Sequence, residues 1–189
     1  FKEPMDLLID VYEPVGAPIG RPLFMFIHGG GFFGGTREGG PGELFGEYFA
    51  ARGFVAASID YRVAKHHGTI PVNWTELVTR KTQKGRKTDQ RLAMYPAARD
   101  AKAALRWLVA EQDRFGINSE FVTVAGGSAG AALAVMAGVS DEGDFVDELD
   151  VLSDPTLRST NRGETVDVDT VLDFWGSPAH LEMLALIDG

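Results

Sequence analysis

Gly126-Gly127-Ser128-Ala129-Gly130 has the spacing Gly-x-Ser-x-Gly, and it lies between a run of strand-forming residues and a run of small, helix-forming ones. A serine hydroxyl in that setting is lifted out of the backbone by a tight strand-to-helix turn, which makes it an accessible nucleophile. The amide of Ala129, at the helix start, would donate to negative charge developing on an attacked carbonyl oxygen. The same residues admit a plainer reading, a glycine-rich turn whose serine caps the helix. A second motif bears on the choice. His28-Gly29-Gly30-Gly31 also follows an apolar run, and successive glycines offer amides unhindered by side chains, as an oxyanion hole requires. His28 reads as a residue that positions this loop, not as a general base. A phosphate-binding loop is the rival reading, but Gly-x-x-x-x-Gly-Lys-Ser/Thr is absent and no Gly-x-Gly-x-x-Gly opens a helix here. Two motifs in this order, each at a strand end, point to acyl transfer.

The elements that must position these residues can be read from periodicity. Residues 7–12 form a strand, and Leu23-Phe24-Met25-Phe26-Ile27 is an unbroken apolar run typical of a strand covered on both faces. A helix fits 42–52 and stops at Gly53; strands follow over 54–59, 121–125 and 168–175. Pro96 suits the first turn of a helix, with Ala97, Ala101, Ala104, Leu105 and Leu108 on one face and an end near Gly116. Residues 129–139 form a helix buried on most sides. The stretch 64–92 is polar and basic without clear periodicity, and reads as a long loop with a short helix. The acidic stretch 141–169 reads as a second solvated loop.

Strands alternating with helices imply an α/β fold, a mostly parallel sheet with helices on both faces. The binding crevice of such a sheet lies at the carboxyl ends of its strands. Both motifs end strands, and the basic stretch starts at the same edge, so it is the candidate substrate rim. The acidic stretch starts at the opposite edge.

Composition excludes several classes. The chain has 189 residues, enough for one domain with a real core. Its net charge of −9 argues against nucleic acid, which is bound through clustered Lys and Arg. No cysteine is present, which removes disulfides, thiolate metal sites and a cysteine nucleophile together. No apolar run approaches the roughly 18–20 residues of a transmembrane segment. His66 and His67 lack partners at metal-ligand spacing. Neither a metal nor another cofactor is implied. The first residue, Phe1, indicates a processed or trimmed N-terminus, which leaves the compartment open and secretion included.

Over almost its whole length the chain resembles the α/β-hydrolase superfamily, in the carboxylesterase branch that includes hormone-sensitive-lipase-like enzymes. The matching segments are 10–14 (Asp-Val-Tyr-Glu-Pro), 28–32 (His-Gly-Gly-Gly-Phe), 60–62 (Asp-Tyr-Arg), 95–100 (Tyr-Pro-Ala-Ala-Arg-Asp), 104–108, 126–130 and 171–176. The resemblance implies Ser128 as nucleophile, amides of Gly29, Gly30 and Ala129 as oxyanion hole, structural roles for Asp60 and Asp100, and a small-molecule carboxylic ester as substrate. Two departures stand out. The segment between Arg62 and Tyr95 is longer than in near relatives, which alters the pocket. The triad order of this fold is Ser, acid, His, yet only His180 follows Ser128, and it does not match the family position. His180 is therefore the candidate base within the chain, and Asp173, mid-strand, is expected to be a buried structural carboxylate. The simplest expectation is a single domain over 1–189, incomplete at its C-terminus, with acid and histidine on two further strand ends and little activity by itself. Its abbreviated sheet would expose an edge through which a homo-oligomer could form. Two alternatives stay open: a non-catalytic module that kept the elbow, and a peptidase or acyltransferase on the same scaffold.

Overall fold

Successive side chains of a strand point to opposite faces, so Leu23, Met25 and Ile27 face one way and Phe24 and Phe26 the other. All five are buried, which requires cover on both sides. The computed structural model describes residues 5–16, 19–66, 68–81, 85–141, 143–145, 150, 152, 154–155, 157 and 160–176, and it places this strand at the centre of the sheet. In chain order the elements are β1 (Ile9–Tyr12), β2 (Arg21–Ile27), α1 (Gly40–Ala50), β3 (Val55–Ile59), a 3-10 turn (Ala64–His66), α2 (Val72–Lys81), α3 (Arg86–Ala110), α4 (Gln112–Phe115), β4 (Ile117–Gly127), α5 (Ala129–Val139) and β5 (Thr170–Phe174). The strand order is β1-β3-β2-β4-β5. β1 runs antiparallel to β3, and the remaining neighbours are parallel.

The order explains the layers. From β2 the chain crosses one way to β3, then reverses over β2 to β4 and continues to β5. Crossovers between parallel strands are right-handed, so the reversal sends the connecting helices to opposite faces. α1 covers Phe24, Phe26, Ala56 and Ala125 with Phe45 and Phe49, and Phe49 stacks on Phe24 at 3.7 Å between ring centroids. α3 and α5 cover Leu23, Met25, Ile27, Val55, Ala57, Val122 and Val124 on the other face. β2 and β4 are neighbours whose outgoing connections leave to different faces. A crevice opens between them at their carboxyl ends.

The segment read as a polar loop is largely helical, because α2 fills 72–81 and α3 begins at Arg86. Pro96 sits inside α3 and not in its first turn; lacking an N–H, it removes one hydrogen bond from the ladder. The physical reasons are local. α2 buries only Trp74 and Val78, four residues apart, too narrow a stripe to register as a period. Arg86 to Arg91 contributes no apolar stripe at all, although Arg, Lys and Gln are good helix formers. Trp74 is anchored by edge contacts to Tyr95 and Phe145, and its indole N–H donates to the Arg91 carbonyl at 3.2 Å.

The acidic stretch is not wholly solvated. Asp154 is buried within ion-pair distance, 3.3 Å, of the equally buried Arg99. Burial holds the Arg99 guanidinium below its usual range, and the nearby charge of Arg62 lowers it further. The Lys102 ammonium donates to Ser140 Oγ and to the carbonyls of Asp141 and Asp144, closing the end of α5. Asp173, expected inside, is exposed; its position at the strand end lets it accept the Gly176 amide at 2.6 Å and close a turn. No helix among the described residues is long and apolar enough to cross a membrane.

If α2 is part of the core, Trp74→Ala should lower unfolding free energy by about 3–5 kcal/mol. Val72→Ala, at an exposed position of the same helix, should stay within about 0.5 kcal/mol. Urea unfolding of both variants checks this, and equal small effects would detach α2 from the core.

Candidate active site

At the end of β4, Gly126 pairs with Ile27 of β2 and Gly127 with Phe174 of β5. The next residue turns sharply. Ser128 has φ 55° and ψ −115°, in the left-handed region that costs a non-glycine residue about 1–3 kcal/mol. Surrounding bonds hold it there: its amide donates to the Phe174 carbonyl at 3.2 Å, and its carbonyl accepts from Ala131 and Ala132 at 3.1 and 3.3 Å. The turn is possible only without side chains beside it. A Cβ on Gly126 would overlap the Gly130 carbonyl, and one on Gly130 would overlap that of Ile27. Ser128 is exposed between buried neighbours, and its side chain makes no capping bond to α5. That removes the reading of a helix-capping serine. Ala129 opens α5, so its amide has no acceptor within the helix.

Across the crevice lies the glycine loop. A Cβ on Gly29 would stand 2.9 Å from the Gly127 carbonyl oxygen and 3.4 Å from Ser128 Cβ, so the two motifs meet side by side. Five consecutive carbonyls of the loop are engaged. His28 O accepts from the Tyr61 hydroxyl at 3.0 Å, and Gly29 O pairs with His28 Nδ1 at 2.6 Å. Gly30 O accepts from the Phe33 amide at 3.1 Å, Gly31 O from Gln90 Nε2 at 3.1 Å, and Phe32 O from the Ala64 amide at 2.7 Å. The amides of Gly29 and Gly30 make no hydrogen bond among the described residues. The loop thus binds the protein through its oxygens and leaves the Gly29 and Gly30 amides open to an acceptor in the crevice.

Electrostatics support the same arrangement. His28 is buried and stacked on Tyr61, ring centroids 4.3 Å apart. Burial pushes its pKa below the ordinary histidine value, against the opposing influence of the Gly29 carbonyl and Asp60. A neutral imidazole donating from Nδ1 follows at neutral pH. Burial likewise raises the Tyr61 phenol, which stays protonated as a donor. Both nearby carboxylates are taken by arginines. Asp60 accepts the amide and Nη1 of Arg37, each at 2.9 Å, while Arg37 Nε reaches Asp10. Asp100 accepts the amide, Nε and Nη2 of Arg62.

The residues singled out by sequence therefore divide. Ser128, Ala129, Gly29 and Gly30 come together. His66 is elsewhere, its Nδ1 against the Val63 amide at 3.2 Å. His180 and His67 lie outside the described residues. Among those described, no group of three or more His, Cys, Asp or Glu is placed to hold a metal ion. Sequence reasoning assigned no role to Tyr61, Gln90, Arg37 or Trp175. Tyr61 stands in the Asp60-Tyr61-Arg62 segment, which hinted at importance without saying for what; Gln90 carried no signal. Trp175 has φ 45° and is exposed. Its indole lies so close to Gly127 that a Cβ there would come within 2.5 Å of the ring, which sets it beside Ser128.

Comparison with known proteins agrees with this geometry. The chain is similar to Esterase LipC of Mycobacterium tuberculosis, 29% identical over 171 residues, a match covering 89% of this chain and 33% of that protein. It is similar to Juvenile hormone esterase of Heliothis virescens, 31% identical over 116 residues, 60% of this chain and 17% of that one. The chain thus spans about a third or less of the curated relatives it matches. Among solved structures, a thermophilic esterase of Thermogutta terrifontis with butyrate bound superposes with TM-score 0.64 at 22% identity, covering 91% of this chain and 49% of that one. The same organism's esterase 2 phosphonylated by sarin gives TM-score 0.60 at 24% identity, covering 91% and 50%. These likenesses show the α/β-hydrolase fold. The BD-FAE family profile matches residues 9–74 and 87–186, most of the chain, and the protein, whose fold is that of the α/β-hydrolases, belongs to that family.

Proposed function

We propose that the intact protein is a serine hydrolase of small-molecule carboxylic esters, working through an acyl-enzyme on Ser128. The observation that carries this reading is the pairing of a strained, outward serine with a loop whose five carbonyls from His28 to Phe32 are bound and whose Gly29 and Gly30 amides are not. In the reaction, Ser128 Oγ attacks the acyl carbon and its proton passes to a histidine. The amides of Gly29, Gly30 and Ala129 hold the oxyanion. Collapse expels the alcohol, which takes the proton back, and water then hydrolyses the acyl-enzyme by the same steps. The histidine and its orienting carboxylate come from the part of the protein that follows β5 in sequence. Further strands of the same protein, or a second copy, would extend the β5 edge.

The names of the relatives support the ester substrate, and a related esterase phosphonylated by sarin supports a covalent nucleophile. The strain at Ser128 weighs against a non-catalytic module, because such a module gains nothing from holding a serine in a costly conformation. His28 and Tyr61 act as positioning residues. Neither reaches the substrate; each fixes a carbonyl so that the amides keep their direction.

With the full-length gene product and a short-chain p-nitrophenyl ester, Ser128→Ala should lower kcat by a factor on the order of 10⁴ or more. A fluorophosphonate should label the parent protein at Ser128 and leave the variant unlabelled; labelling elsewhere would refute the assignment. Gly30→Ala places a Cβ against the Gly34 carbonyl at φ 122°, displacing one donor, and should cost about 100-fold or more in kcat. The buried neutral His28 adds a pH effect. Its folded-state pKa lies below the unfolded value near 6.5, so its stabilising contribution is complete above about pH 6.5 and is lost as pH falls through the folded-state value. Urea midpoints at pH 8 and pH 5 should therefore differ less for His28→Asn than for the parent, and an unchanged difference would contradict this.

A further inference from the structure

The cations of this chain are gathered in one place. Seven of its 18 Lys and Arg lie between Lys65 and Arg91, against two of its 27 Asp and Glu, so that segment carries a charge of +5 and the rest of the chain −14. Folding concentrates them further. Arg80 and Lys81 are the last two residues of α2, and four residues of chain lead from there to Arg86, the first of α3. α2 packs on α3, so Arg80, Lys81 and Lys87 share the tip of a helical hairpin. All three are exposed, and Arg91 is half-buried. None of the four makes a side-chain hydrogen bond or an ion pair among the described residues, Glu76 and Asp89 of the same hairpin included, whereas Arg37, Arg62 and Arg99 each face a carboxylate. The hairpin stands at the catalytic edge. The buried stretch of α3 begins at Ala93, and the two turns before it stand clear of the core. Gln90, in those turns, donates to the Gly31 carbonyl at 3.1 Å. Lys87 is three residues earlier, hence its neighbour on the helix surface, one turn further from the glycine loop.

We propose that this hairpin draws in and orients an anionic substrate, an ester that carries a carboxylate apart from the bond that is cleaved. The proposal rests on the serine-hydrolase reading of Ser128 and adds the charge of its substrate. A surface that is negative elsewhere repels such a molecule, and the cations of the hairpin attract it, so approach is favoured from one side, over the glycine loop. Fields of this kind raise association rates without a fixed contact, and they weaken steeply as salt is added. An anionic membrane is the other partner that such a charge would fit. Helices that settle on a lipid surface bring apolar side chains beside their cations. In α2 the large apolar residues Trp74 and Val78 are buried, and the exposed Val72 lies at the opposite end of the helix from Arg80 and Lys81. The observations therefore favour a soluble anion. Arg80 and Lys81 fall within residues 75–86, which the family profile leaves unmatched, so the tip is an addition to the family's common scaffold.

The test uses the full-length gene product, with Ser128→Ala in parallel, and compares kcat/KM on 4-butyryloxybenzoate and 4-butyryloxybenzamide, two butyrate esters that differ by one charge. Measurements at about 0.01 M and about 1 M ionic strength set the reach of the charges to roughly 30 and 3 Å. In the parent, the benzoate-to-benzamide ratio should fall about fivefold or more between the two. Combining Arg80→Glu, Lys81→Glu and Lys87→Glu should abolish or invert that fall, while kcat and KM on the neutral benzamide stay as in the parent. The corresponding triple Gln variant should flatten it, and keeps the test decisive should the charge reversal impair folding. A parent ratio indifferent to salt, or the same salt dependence in parent and variants, would overturn the proposal. Co-sedimentation with phosphatidylserine vesicles that needs the three cations, together with no preference for the benzoate, would assign the hairpin to a membrane and overturn it too. Absence of serine-dependent turnover of both esters would instead defeat the hydrolase reading beneath it.

Discussion

The path of the chain across the crevice is set by hydrogen bonds to five carbonyls in a row, from His28 to Phe32. A peptide unit has its oxygen and its N–H on opposite sides. Binding the oxygen into the body of the protein therefore aims the amide outward, and the units that carry the Gly29 and Gly30 amides become a fixed pair of donors. Electrostatic catalysis is strongest when donors are oriented before charge develops, because nothing then has to reorganise. The partners come from four places: the loop itself, Tyr61 after β3, Ala64 in the following turn, and Gln90 in α3. The site is rigid because the connection after β3 and the first turns of α3 are folded against it.

The charged groups near the crevice serve that folding. Arg37 joins Asp10 of β1 to Asp60 at the end of β3, and its own carbonyl accepts from Ser58. Arg62 ties the segment after β3 to Asp100 of α3. Arginine suits both places, since its planar fork meets a carboxylate with several parallel donors. Asp60 and Asp100, the carboxylates near the crevice, are thus committed to holding loops. Arg99 and Asp154 form a deeper pair, at ion-pair distance but with two guanidinium nitrogens lacking hydrogen bonds among the described residues. Such a pair contributes little net stability. Its effect is to draw part of the acidic stretch against α3.

The strands and the elbow were legible in the residues because each has a signature that only one structure satisfies well. Five apolar residues in β2 require two covered faces, and Gly-x-Ser-x-Gly between strand and helix leaves room for a single kind of turn. The α/β architecture and the meeting of Ser128 with Gly29 followed from these. The segment from 64 to 92 was not legible. α2 rests on Trp74 and Val78 alone, and the start of α3 owes its helicity to good helix formers and to Gln90 reaching Gly31, a contact between residues 59 positions apart. Long-range side-chain bonds leave no periodic trace. Asp173 failed for a related reason: alternation along a strand indicates a face, but the end of β5 turns away, and the carboxylate closes that turn instead of entering the core.

The amide of Ser128 donates to the Phe174 carbonyl, so the conformation of the serine is latched by the last residue of the neighbouring strand. Sheet and serine are mechanically coupled at that point. β5 is joined to the described sheet only through β4, and peripheral strands are the first to fray. Loosening of that strand would let the serine relax into an ordinary dihedral well while most of the core stayed intact. A strand added beyond β5 would consequently keep the spring wound as well as shield an edge.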